Sequence, residues 1–240
     1  LRESDCALYI ISTSYEQHAR SIAVRVGVPD FRVHCTKFPL DIIRRDIGKE
    51  DLESIRQIRE KIVQLYRDDL ESGSNDKAIR QLLDPFFWQD LPKTRFGQSG
   101  TITVMGGRRK VQALELAISP DLLKNAFVVM DSITDFRMAQ VVEASGGIAL
   151  AWNANWYVLP YASCGVAATD ARAAQPIFDA WLRGGRPAVR EFIESAPQPS
   201  QDTGPYYHWL AGRDEEFQRK MLEIHKRLRG LCRKEAAKLG

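Results

Sequence analysis

Two aspartates four positions apart, Asp131 and Asp135, have the residue type and spacing of a site for a hard cation. They follow the apolar run Phe127–Met130, a pattern typical of a buried parallel strand. A carboxylate at the end of such a strand lies at the sheet edge where α/β proteins bind ligands. A second carboxylate at the start of the next helix can point to the same place, and the pair suits Mg²⁺ with a phosphate. The alternative is a strand-to-helix turn closed by an N-cap.

The elements that would position these acids alternate along the chain. Apolar runs predict strands at residues 7–11, 31–35, 127–130, 148–152 and 165–168. Apolar residues at helical spacing predict helices at residues 15–27, 105–118 and 136–144. A strand, a helix and a second strand within about 30 residues predict parallel pairing. The sequence therefore predicts an α/β fold built on a parallel sheet.

Two stretches depart from this alternation. Residues 38–96 carry charged helical patterns and an aromatic cluster at 84–88, and we interpret them as a helical, cap-like insert. Residues 176–240 are predicted to be a helical C-terminal extension with a linker at 196–205. The Lys and Arg residues of the basic amphipathic helix at 213–239 would permit an acidic partner or a membrane surface, and we favour a docked helix with a solvated face. Residues 1–37 and 97–175 then form the α/β core.

Composition limits the function classes. The 240 residues carry a net charge of +3, which gives no argument for a nucleic-acid partner. No apolar run approaches the roughly 20 residues that span a bilayer. The four scattered cysteines favour free thiols in a reducing cytoplasm. The sequence leaves open whether the chain forms a homo-oligomer or a subunit of a complex.

A hydroxyl and an ammonium complete the set of polar residues at predicted strand and helix ends. Ser12 follows the first strand, and Lys110 begins a helix after Gly106-Gly107. With the two aspartates, they are the parts expected of a phosphoryl-transfer site, where the hydroxyl and lysine hold phosphate oxygens and the acids hold Mg²⁺. Asn153 and Asn155, after the strand at 148–152, either line the site or shape a turn, and we favour the turn.

This order of motifs resembles the haloacid dehalogenase (HAD) superfamily of phosphohydrolases. Ile10-Ile11-Ser12 is similar to its second motif, Gly107-Arg108-Arg109-Lys110 to its third, and Met130 to Asp135 to its fourth, in which Gly usually precedes the first Asp. The strings at residues 11–17, 34–37 and 146–155 resemble a largely archaeal-type, poorly characterised branch. The resemblance covers roughly residues 7–170 and implies a Rossmann-like core.

The resemblance implies a Mg²⁺-dependent phosphatase that acts on a small phosphorylated metabolite. Asp131 would bind the metal, Asp135 would support the metal or its water, Ser12 would bind phosphoryl oxygens, and Lys110 would bind phosphate and nucleophile. Simpler interpretations stay open here. Ser12 could be a helix N-cap, and Lys110 could be a surface lysine with Arg108 or Arg109 in its place. A non-catalytic HAD-like binding protein or complex subunit is the alternative function.

The family's nucleophile is not found. HAD enzymes attack phosphorus with the first Asp of an Asp-x-Asp at the end of their first strand, whereas residues 1–7 hold only Asp5, which follows no apolar strand. That strand would lie in the middle of the sheet, and a sheet without it would leave rows of backbone groups unpaired. We therefore expect a nucleophile-bearing strand outside this sequence. Direct pairing of the strands before Ser12 and Asp131 is the alternative.

Overall fold

Alternating strands and helices make up the computed structural model, which describes residues 6–68, 76–98, 102–197, 199 and 202–238. Its strands are β1 (Ile10–Tyr15), β2 (Val33–Thr36), β3 (Phe127–Met130), β4 (Ile148–Trp152), β5 (Cys164–Ala167) and β6 (Tyr206–Trp209). Its α-helices are α1 (Glu16–Val26), α2 (Leu40–Asp46), α3 (Lys49–Asp68), α4 (Asp76–Pro85), α5 (Arg95–Gln98), α6 (Arg108–Ala117), α7 (Phe136–Ala144), α8 (Gln175–Ser195) and α9 (Glu215–Lys238). The predicted α/β class is confirmed.

The largest described sheet has the strand order β3-β4-β5-β6. β3, β4 and β5 run parallel, with Phe127 opposite Ile148 and Leu150 opposite Cys164. Their carboxyl ends therefore meet at one edge, which brings the residues after Met130 and Trp152 together. β6 joins the far side of β5 in the antiparallel direction.

Side chains of this sheet alternate between two apolar layers. Ala149 and Ala151 of β4 face a core cluster with α6 and α7, in which Val142 is fully buried. Ile148 and Leu150 face a second cluster with Ile177 and other residues of α8. Successive side chains of β4 thus point to opposite faces of the sheet, and helices cover both faces. This is the arrangement expected of a buried parallel strand.

β1 and β2 form a separate two-stranded sheet. Among the described strands, the one that carries Ser12 is therefore not a hydrogen-bonded neighbour of β3, which precedes Asp131. Direct pairing of these two strands, the alternative considered above, is not observed. The expected nucleophile-bearing strand stays a prediction, and Asp5 lies outside the described residues.

The C-terminal region differs most from the sequence prediction. It is not wholly helical, because Tyr206–Trp209 forms β6 directly after the predicted linker, where Pro205 and Gly204 gave no strand signal. The sheet is accordingly mixed and not purely parallel. Helix α8 is kinked at Gly184 and Gly185, where the backbone dihedral angles are not helical.

The chain divides into two compact units. One holds the segments up to Ser14, from His18 to Cys35 and from Met105 onward, and it contains the large sheet. The other holds Tyr15–Gln17 and Thr36–Val104, with helices α2 to α5 and the buried side chain of Phe86. The predicted insert at 38–96 falls within the second unit, and its role as a cap stays a prediction.

No described helix is long and apolar enough to cross a membrane. All four cysteines are free, and two of them, Cys35 and Cys164, are buried. Burial raises the pKa of the Cys164 thiol far above its ordinary value, so this side chain behaves as a small apolar residue of β5.

Candidate functional site

Lys110 and Asp135 form a buried ion pair at the carboxyl edge of the sheet. Lys110 Nζ lies 2.6 Å from Asp135 Oδ1, and both side chains are less than a tenth exposed. Lys110 lies in the first turn of α6, which begins after Gly107 at a positive φ of 54°. The surface-lysine interpretation of Lys110 is therefore wrong, and its neighbours Arg108 and Arg109 are the exposed residues.

The second oxygen of Asp135 holds the turn that precedes α7. Asp135 Oδ2 accepts hydrogen bonds from the main-chain N–H of Ser132 at 3.1 Å and from the Ser132 hydroxyl at 3.1 Å, with a longer contact from Asp131 N–H. Asp135 stands at the N-cap position of α7, yet its side chain makes no capping bond. The carboxylate therefore turns back toward β3 and Lys110, and the simple N-cap interpretation does not describe it.

Asp131 lies in a different environment from Asp135. Its side chain is about half exposed, and its Oδ2 lies 3.1 Å from Nη2 of Arg229 in α9. Its main-chain oxygen accepts from Arg229 Nη1 at 2.9 Å and from Asn155 N–H at 3.0 Å. The two aspartates thus have separate partners: Asp135 is buried with a lysine, and Asp131 is half exposed beside an arginine.

Ser12 lies within β1, four residues before α1 begins, so it is not a helix N-cap. Its Oγ is half-buried and accepts from Ser14 N–H at 3.1 Å, which leaves the hydroxyl proton able to donate. The hydrogen bond between β1 and the loop after β3 comes from Thr13, whose hydroxyl contacts Thr134 at 3.2 Å and Met105 O at 2.9 Å. Thr13 was missed by sequence reasoning.

One face of α9 closes the carboxyl edge of the sheet. His225 Nδ1 accepts from Ala154 N–H at 2.7 Å, and Arg229 reaches the end of β3. Asn153, at a positive φ of 40°, uses both ends of its amide on Ala168, so it fixes the turn as predicted. The predicted docking of the helix at 213–239 is observed, but the prediction did not include these polar contacts. The only signal in the sequence was the four- and three-residue spacing of the polar residues His225, Arg229 and Cys232.

The donor set can be tested against the implied Mg²⁺. Asp131 fits as a ligand, because its carboxylate is half exposed and its Oδ1 has no hydrogen-bond partner among the described residues. Asp135 does not fit as a direct ligand, since both of its oxygens are used by Lys110 and the Ser132 turn. No group of three His, Cys, Asp or Glu side chains in the described ranges could hold a metal. One protein carboxylate completed by substrate phosphate is still within the usual range for Mg²⁺.

Comparisons with known proteins establish the fold alone. No family model matches the chain, and no curated protein matches it. A solved structure, the gene product AF1437 from Archaeoglobus fulgidus, superposes with a TM-score of 0.64 at 23% sequence identity. The match covers 94% of this chain and 64% of that one, so this chain spans less than two thirds of its structural neighbour.

Proposed function

We propose that this chain carries the phosphate- and metal-binding part of a HAD-type phosphatase that acts on a small phosphorylated metabolite. The observation that carries the proposal is the buried pair of Lys110 and Asp135 beside the half-exposed carboxylate of Asp131, all at the carboxyl edge of β3. This edge is where open α/β sheets bind ligands. We assign no described residue as the nucleophile.

Each residue contributes a distinct part of the proposed chemistry. The Lys110 ammonium has three N–H donors, so it can hold a phosphoryl oxygen while it stays paired with Asp135. Ser12, as the family resemblance implies, would bind a second phosphoryl oxygen with the hydroxyl proton that its contact with Ser14 leaves free. Asp131 would hold Mg²⁺, which when bound offsets negative charge on the transferring phosphoryl group. Asp135 pairs with Lys110 and fixes the loop that presents Asp131.

A non-catalytic HAD-like role is the second candidate, and the Asp131–Arg229 contact favours it. A guanidinium at 3.1 Å already neutralises the carboxylate that the enzyme would use for its metal. Met130, in place of the Gly typical of the fourth motif, adds a bulky side chain directly before Asp131. A protein retained for binding, alone or within a complex, would need no free metal ligand there.

Substitution of Asp131 by Asn separates the two candidates. The natural full-length protein would be assayed for phosphate release from a panel of phosphate monoesters in the presence of Mg²⁺. We expect Asp131→Asn to lower kcat at least about 100-fold, the scale seen when one transition-state charge contact is lost. Asp121→Asn, at an exposed turn residue, is the matched control with the same charge change. Full activity of Asp131→Asn beside an active wild type would contradict the assignment, and a wholly inactive wild type would favour the non-catalytic role.

A further inference from the structure

Arg229 is held over the ends of two strands by three oxygen atoms. Nη2 contacts Asp131 Oδ2 at 3.1 Å, Nη1 donates to Asp131 O at 2.9 Å, and Nη1 lies 3.5 Å from Asn153 O. The arginine side chain is only 20% exposed. A guanidinium carries a positive charge and offers only hydrogen-bond donors. The positive charge beside the Asp131 carboxylate therefore comes from Arg229 of the same chain.

The surrounding contacts of α9 fix this arginine in place. One turn before it, His225 binds Ala154 N–H, and one turn after it, Cys232 Sγ lies 3.6 Å from Ala168 O. Leu228, between these positions, is fully buried. An ordinary exposed ion pair is held only by its own side chains and contributes little. Here the docking of a whole helix holds the guanidinium against Asp131.

We infer that α9 is an autoinhibitory element and that Arg229 competes with the metal ion for the Asp131 carboxylate. The inference rests on the proposed function, since it concerns the metal site assigned there. A divalent cation at Asp131 is repelled by a guanidinium on the same carboxylate. Metal binding at Asp131 is therefore weakened while the Arg229 guanidinium stays on this carboxylate, and it is favoured when Arg229 leaves the strand ends.

The test compares two arginines of the same helix in the full chain. Arg229→Gln removes the competing charge, while Arg227→Gln makes the same charge change at a residue that pairs with Asp202 and Tyr206. Mn²⁺ serves as the probe, and its binding is titrated by electron paramagnetic resonance. We expect Arg229→Gln to bind Mn²⁺ about tenfold more tightly than wild type, the scale of one screened like-charge interaction. Arg227→Gln should stay within about twofold, and Asp131→Asn should abolish the site.

The possible outcomes separate a failure of the Arg229 inference from a failure of the proposed metal site. If Mn²⁺ binding depends on Asp131 and Arg229→Gln binds no more tightly than Arg227→Gln, the competitor role is overturned and the metal site stands. If no variant shows binding that depends on Asp131, the metal site itself is refuted, and the inference with it.

A second measurement needs no variant, so it serves even where circular dichroism shows that Arg229→Gln does not fold. Hydrogen exchange is followed in the wild-type chain with and without saturating Mg²⁺. Displacement of Arg229 predicts faster exchange of backbone amides between residues 225 and 232, with α7 unchanged as the internal control. Unchanged or slower exchange in that part of α9 at saturating metal would overturn the inference.

Discussion

Burial separates two aspartates that look alike in the sequence. Asp135 is buried against Lys110, whereas the Asp131 side chain is half exposed beside Arg229. A buried carboxylate needs a paired charge and hydrogen bonds, and Asp135 has both. Both oxygens of Asp135 accept hydrogen bonds in these contacts, whereas Asp131 Oδ1 has no hydrogen-bond partner among the described residues.

Substitution of Lys110 by Met should destabilise the fold strongly. It removes the ammonium and leaves the Asp135 charge buried with only the donors of the Ser132 turn. We expect the free energy of unfolding to fall by about 3–5 kcal/mol, the cost of breaking a buried pair from one side. Urea denaturation measures it, with Lys124→Met at an exposed position as the control, expected within about 0.5 kcal/mol of wild type. Equal stability of the two variants would contradict the buried pair.

At the scale of elements, two histidines join β6 to α9. His208 Nε2 and His225 Nε2 are 2.7 Å apart in the core, and His225 Nδ1 accepts from Ala154 N–H. These bonds place the His225 proton on Nε2, so that it donates to His208. A Cβ on Gly165 of β5 would clash with His208 Nε2, so this strand position needs glycine for the pair to form.

The histidine pair should make the fold sensitive to acid. Burial lowers the pKa of His208 to about 3 and holds the pKa of His225 well below its ordinary value. The unfolded chain, with histidine pKa values of about 6.5, then binds protons that the native state does not. The stabilising contribution is therefore complete above about pH 6.5 and is lost as the pH falls toward the lowered native values.

Denaturation at two pH values measures this effect. From about pH 7.5 to about pH 5.5, we expect a loss of about 1.4 kcal/mol for each histidine and nearly 3 kcal/mol for the pair. His225→Gln should reduce that loss by about half, whereas His18→Gln, at an exposed position, should leave it unchanged. The same loss in wild type and in His225→Gln would show that the pair does not titrate as the geometry implies.

At the scale of the whole molecule, the C-terminal region is part of the core and not an appendage. β6 extends the large sheet, and α9 contributes Leu222 and the fully buried Leu228. Both elements belong to the same compact unit as β3, β4 and β5. The predicted linker at 196–205 thus connects two parts of one hydrophobic core.

Two leucines of α9 test this integration. Leu228→Ala should lower the free energy of unfolding by about 2–5 kcal/mol, because it removes a buried side chain and leaves a cavity. Leu231 is 39% exposed on the same helix, and Leu231→Ala should cost less than about 1 kcal/mol. Both values come from urea denaturation at neutral pH. If the two substitutions cost the same, α9 does not pack as described.

The sequence by itself determined the local elements. β3, β4 and α7 begin and end where the apolar periodicity predicts, because their patterns are set by neighbours close along the chain. It also placed Lys110 and Asp135 at ends that a parallel sheet brings to one edge. These inferences needed only the spacing of apolar residues in each element and the rule that the carboxyl ends of parallel strands lie at one edge of the sheet.

Only the tertiary structure decided which partners those residues take. Asp131 pairs with Arg229, 98 positions away, and β6 pairs with β5 across the whole of α8. Neither contact leaves a periodic signal, because each depends on how distant elements pack and on which polar groups burial forces to find partners. The sequence thus placed Lys110 and the two aspartates at the sheet edge, and the fold decided which carboxylate pairs with which partner.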